Sequence, residues 1–141
     1  MTVNYAGFWR RFVALVIDIL TLTFTDGIFL QIYLLMNGVY ADDLNPFRFQ
    51  LVIVMSLFIL GFSYFSISHF QWGCTLGKRL LGVRVVDAKT LGPLGAGQAM
   101  GRYLASVLSY LTLLVGFVMA AWDSKKRSLH DRVCSTVCIV R

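Results

Sequence analysis

The sequence predicts an all-α membrane protein, with two or three transmembrane helices and a short cytoplasmic β-ribbon. Three observations carry this expectation. Apolar residues make up 57% of the 141 residues and charged residues only 14%, against about 45–50% and about 25% in soluble domains. The apolar residues gather into three long runs, and a chain this short cannot bury so much apolar surface in a soluble core. The 13 Lys and Arg residues outnumber the 7 Asp and Glu residues and lie in loops and tails beside those runs. Such placement orients a membrane protein toward an anionic cytoplasmic leaflet and argues against nucleic acid as a partner. The length fits one domain, residues 1–141.

The first apolar segment covers about residues 12–36, enough for the ~20 residues that a hydrocarbon core demands, with some tilt to spare. Phe8 and Trp9 before it and Tyr33 near its end are placed as interfacial aromatics. It is not a removable signal: the run from Phe12 meets Asp18 after six residues, and no small-residue cleavage site follows. A polar connection holding Asp42 and Asp43 leads to Arg48 and to a second, uncharged apolar segment over about residues 49–70. Its Ser56 and Ser63 are seven apart and share a face, where hydroxyls can bond each other or a backbone carbonyl across a helix interface.

Residues 71–102 read as a glycine-punctuated, basic cytoplasmic loop. Within it a helical turn at the membrane surface, residues 76–81, leads into a short β-branched strand at 83–86, followed by turn chemistry near Lys89 and Pro93. The third apolar segment, about residues 103–122, precedes a basic tail, 123–141, with a β-branched end at 136–140.

Two residues flanking the first segment, five in the loop and five in the tail are Lys or Arg; the connection between the first two segments holds only Arg48. The N-terminus and the central loop are therefore expected in the cytoplasm of an inner-membrane protein. Three plain crossings would put the basic tail outside. Either the third segment bends near Val115 and Gly116 and returns as a re-entrant hairpin, or the rule fails at the last helix. The two β-branched runs can pair as an antiparallel ribbon only if both lie on one side, which favours a cytoplasmic tail.

Asp18 and Asp26 fall about two and four turns into the first helix. An ionised carboxylate near a bilayer centre costs at least ~2.5 kcal/mol, so such a group faces the protein interior, pairs, or takes a proton. Arg11 and Asp18 are seven apart, about 20° off one helix face, but the axial gap of ~10 Å is too long for direct contact along one helix. A basic residue from elsewhere, Arg102 or Arg132, or a bridging water is expected to meet Asp18. Asp26 lies about 80° around from Asp18 and need not share its surroundings. Two readings of Asp18 stand: a buried packing anchor, or a carboxylate that handles protons or cations.

Other motifs carry less. Cys74, Cys134 and Cys138 are too few and scattered for a disulfide framework, and two thiols without a second Cys/His pair make no strong metal site. The run from Gly73 to Arg79 fails the phosphate-loop pattern in spacing and in its last residue. His130 and Asp131 have no nucleophile with the right context, so the pair reads as a local hydrogen bond. No enzyme activity and no cofactor are expected.

These residues resemble the RDD family of small membrane proteins, named for one arginine and two aspartates. The likeness rests on Ala6-Gly7-Phe8-Trp9-Arg10-Arg11-Phe12 with Ile17-Asp18, on Gly73-x-Thr75-x-Gly77-Lys78-Arg79-x-x-Gly82-x-Arg84-Val85-Val86, and on Leu129-His130-Asp131 with Thr136-Val137. It implies that Asp18 and Asp131 are the two family aspartates, and that Arg10 or Arg11 is the arginine; the shared face with Asp18 favours Arg11. It implies transport of a small ligand, with sodium–proton exchange reported for some members. The alternative is a non-transporting accessory or assembly subunit docked to a larger membrane complex through the basic loop. Two or three crossings enclose little interior, so a homo-oligomer among membrane lipids is expected, or a membrane-protein partner. The candidate site residues are Arg11, Asp18, Asp26, Arg102 and Asp131.

Overall fold

In the computed structural model, residues 4–38, 45–111 and 126–140 are described. The element order is α1 (Phe8–Asn37), α2 (Pro46–Gln71), α3 (Leu76–Leu80), β1 (Val83–Asp87), α4 (Ala96–Leu111), α5 (Leu129–Val133) and β2 (Thr136–Val140). The architecture is mostly helical with one two-stranded sheet.

Helices α1 and α2 are long and apolar enough to cross a membrane, with mean hydropathies of 1.9 and 2.1. Both leave large apolar side chains exposed, among them Leu20, Phe24, Phe29, Val54 and Ile59. Each helix exceeds the segment expected from hydropathy. At α2 the reason is local: the Asn45 side chain accepts from Phe47 N–H at 2.9 Å with Pro46 at the first helical position. That is a helix start which an apolar window does not register. Ser56 and Ser63 bond back to the carbonyls of Ile53 and Ile59 in their own helix, not to a neighbour.

Strands β1 and β2 pair antiparallel, from Val83 opposite Val140 to Asp87 opposite Thr136. The chain end thus returns to the end of the molecule that holds the central loop. The N-terminus joins the same unit: Tyr5 bridges Ile139, Ala6 N–H donates to Cys138 O, and Val140 N–H donates to Asn4 O. An isolated strand pair is marginal. This one closes a small core of Ala6, Val83, Val85, Leu94 and Cys138.

Two expected boundaries change. The loop drawn over residues 71–102 ends earlier, because α4 begins at Ala96; Gly97 and Gly101 disguise its first turns. The helical turn expected over 76–81 is α3, capped by Thr75, whose hydroxyl accepts from Lys78 N–H. The proposed bend at Val115 and Gly116, and the connection with Asp42 and Asp43, lie outside the described residues.

Candidate functional site

Three elements converge on Asp131. It sits in the first turn of α5 and is wholly buried. Its Oδ2 accepts from Arg11 Nη1 of α1 at 2.6 Å, and its Oδ1 accepts from Arg102 Nη2 of α4 at 2.7 Å. The backbone N–H and hydroxyl of Ser128 add bonds to Oδ2 at 3.1 and 2.8 Å, and the Thr136 hydroxyl reaches Oδ1 at 3.4 Å. Burial alone would raise this carboxyl, but the Arg102 and Arg11 guanidiniums outweigh it and hold the group well below the usual carboxylate range. Arg102 also donates to Thr136 Oγ1 at 2.7 Å, so one aspartate fastens α1, α4, α5 and β2 together.

Asp18 builds a second centre from neutral donors. Its side chain is fully buried on α1. Oδ1 accepts from the Tyr64 hydroxyl of α2 at 2.9 Å and from Gly77 N–H of α3 at 2.8 Å, and Oδ2 accepts from the Thr75 hydroxyl at 2.5 Å. Tyr64 in turn accepts Leu76 N–H at 2.9 Å. Gly77 is required sterically: a Cβ there would overlap the Ala14 carbonyl oxygen and come within 3.0 Å of Asp18 Oδ1. Gly73 turns the chain from α2 toward α3 at φ +66°, in the region that favours glycine.

Between the two centres lies a cavity of about 50 Å³, bordered by Arg11, Asp18, His69, Lys78, Arg102 and His130. His69 is 3% exposed. Its Nδ1 is 2.6 Å from the Phe65 carbonyl, which can only accept, so Nδ1 carries a proton. Its Nε2 lies 2.9 Å from Lys78 Nζ. Burial, assisted by the Arg102 charge, pushes the Lys78 ammonium down to about 8. Burial likewise pushes His130 down to about 3, against the opposing pull of Asp131.

Arg11 and Asp18 face inward on one stripe with Ala14, and Arg11 is the buried arginine while Arg10 is exposed. The expected basic partner for Asp18 is replaced. Arg102 goes to Asp131 and Arg132 is exposed; hydroxyls and one peptide N–H take the role instead. Asp26 is buried, 5% exposed, about 12 Å further along α1, and joins neither centre. Sequence reasoning missed His69, Lys78, Tyr64 and Thr75 as site residues. The signal available was the Thr75–Lys78 stretch, whose cap and cation are functional parts of a fold rather than of a phosphate loop.

The profile of the RDD family matches residues 5–135. The uncharacterized protein YxaI of Bacillus subtilis is 32% identical, over 93% of this chain and 94% of its own length. The uncharacterized membrane protein YteJ of the same organism is 26% identical, over 99% and 83%. A proline-rich antigen homolog of Mycobacterium tuberculosis is 36% identical over 48% of this chain, which spans only 28% of that protein. No solved structure matches.

Proposed function

The chain belongs to the RDD family of small membrane proteins, and we propose that it is a transport protein of a cytoplasmic membrane that moves a small ligand together with protons through the cavity beside Asp18. One juxtaposition carries this reading: a buried carboxylate, a buried imidazole and a lysine ammonium border a single cavity roomy enough for water, beside two helices long enough to span. Ionisable groups in such a place are expensive and are kept where charge is handled. The basic end of the molecule, where the N-terminus, central loop and ribbon meet, faces the cytoplasm. β1 and β2 pair at that end, which supports a re-entrant hairpin for the third apolar segment. Two spans enclose little interior, so a second copy completes the pathway against the exposed apolar faces of α1 and α2.

Purified protein in vesicles, with proton flux read by an enclosed dye under sodium, potassium and proton gradients, tests the reading. Asp18→Asn is expected to abolish ligand-dependent proton flux. Unchanged flux removes Asp18 from the mechanism, and no flux under any gradient refutes transport.

A second reading is favoured by a different observation. Every oxygen of Asp18 and Asp131 is engaged by a structural donor, so both act as clamps. On that reading the chain is an accessory subunit, and crosslinking yields a stoichiometric heterologous partner while vesicles show no flux.

A further inference from the structure

The cavity has a charge balance that its carboxylates do not close. From α1 it is faced by Arg11 and Asp18, from α2 by His69, and from α3 by Lys78. From α4 it is faced by Arg102 and the Tyr103 phenol, from α5 by His130 with Asp131 directly behind, and from β2 by the Cys138 thiol. With Lys78 charged, three cations stand against two aspartates, a net charge of 3 − 2 = +1 among the described groups. Both aspartates are also spent: Asp131 lies between two guanidiniums, and Asp18 is held by Tyr64, Thr75 and Gly77.

Lys78 forms no ion pair among the described residues; its partner is the imidazole. Because His69 Nδ1 already carries a proton for Phe65 O, Nε2 of the neutral ring offers a lone pair to the ammonium. One proton is shared between Lys78 Nζ and His69 Nε2, 2.9 Å apart. A second would set two cations in contact in a poorly solvated space. A buried cation without a counter-charge is costly, and among the described residues no carboxylate other than Asp18 and Asp131 faces or backs the cavity.

We propose that this cavity is a binding site for a small monovalent anion, of halide or formate size, which binds against Lys78 and Arg102 together with the proton shared by Lys78 and His69. The inference names the ligand class of the site proposed above, and as a statement about transport it rests on that reading. The volume of about 50 Å³ admits an object of one or two waters and excludes the metabolite-sized ligands that occupy pockets of about 300 Å³ or more. A metal cation is disfavoured by the positive walls and by carboxylate oxygens already taken. Since an anion is held by the protonated pair, its affinity falls once the pair loses its proton, by about tenfold per pH unit above the titration of Lys78.

The test is chloride-35 NMR line broadening with the purified full-length protein in detergent. Saturable broadening that bromide and formate displace but sulfate does not, and that weakens about fivefold between pH 8 and pH 9 and about tenfold more by pH 10, supports the proposal. Lys78→Met is expected to abolish it. Lys78→Arg, with a charge that does not titrate in this range, keeps chloride binding and flattens the pH profile, and it decides the matter even if the Met variant does not fold. Arg84→Gln, outside the cavity, leaves binding unchanged. Absence of saturable broadening in the native chain, equal affinity at pH 7 and pH 10, or native-like binding by Lys78→Met overturns the proposal. Proton flux in vesicles without chloride binding sinks the anion and leaves transport standing; chloride binding without flux does the reverse.

Discussion

Replacing Asp131 by Asn removes one charge from a site with two guanidiniums, and the structure sets the size of the effect. The carboxylate is 0% exposed and receives Arg11 at 2.6 Å and Arg102 at 2.7 Å. Removing one member of a buried ion pair costs about 3–5 kcal/mol, because the partner stays behind uncompensated. Here two partners stay behind. The amide is nearly isosteric, so little of the cost is lost packing, but its NH2 must face either an arginine or Ser128, all of which donate. The expected loss is therefore about 3–5 kcal/mol, a fall of roughly 10–17 °C in the melting temperature of a chain this size, read by tryptophan fluorescence on heating in detergent. Adding Arg102→Met to Asp131→Asn should cost less than the two single changes summed, by about 1 kcal/mol or more, because the second change removes a charge that the first orphaned. A single variant that melts within about 2 °C of the native chain, or strictly additive losses, would refute the clamp.

Gly77→Ala should destabilise by about 1–3 kcal/mol, since the methyl meets the Ala14 carbonyl; pairing it with Gly97→Ala, where a Cβ meets open space, gives the control on the same melting assay. Acid should weaken the fold in two stages. His130 is held neutral down to about 3 against an ordinary value of about 6.5. Between those values the unfolded chain binds a proton that the fold refuses, so stability falls as pH drops below 6.5. His130→Gln should remove that part of the slope in melting curves from pH 4 to 7. Asp131 acts in the same direction at lower pH: its contribution is complete above its ordinary value near ~4 and is lost as pH falls below that, toward its depressed folded value. For orientation, an impermeant maleimide added to intact cells should leave the partly exposed Cys74 and Cys134 unlabelled and react with both once the membrane is opened; labelling in intact cells places the ribbon end outside.

How much of this was legible in the residues follows the range of each interaction. The two long apolar helices and the two strands are local patterns, and their apolar and β-branched runs are visible within a dozen residues. The placement of Arg11 on the Asp18 stripe was also local, a matter of seven residues on one helix. The partners were not. Arg11 bonds Asp131 across 120 positions and Thr75 bonds Asp18 across 57, separations at which spacing carries no information. The N-terminal bridge at Tyr5 is as opaque, since Asn4 to Ala6 holds no β-branched residue and no alternation; it forms because β2 offers a free edge.

The misassigned partner is the more instructive case. Charge balance suggested an arginine for Asp18, since a buried carboxylate asks for a cation. The chain meets the need with two hydroxyls and a peptide N–H, groups that satisfy the oxygens without adding charge, and keeps both arginines for Asp131. The consequence is electrostatic. Had Arg102 paired with Asp18 and Arg11 with Asp131, the fixed charges would close and Lys78 would stand as the sole excess cation beside two neutral pairs. Concentrating both arginines on one aspartate instead leaves a cation-rich wall next to a carboxylate whose donors are all neutral. Two oppositely biased surfaces then face one small cavity, with a proton-sharing lysine and histidine between them, and it is this separation, not the presence of an aspartate in the helix, that gives the site something to do.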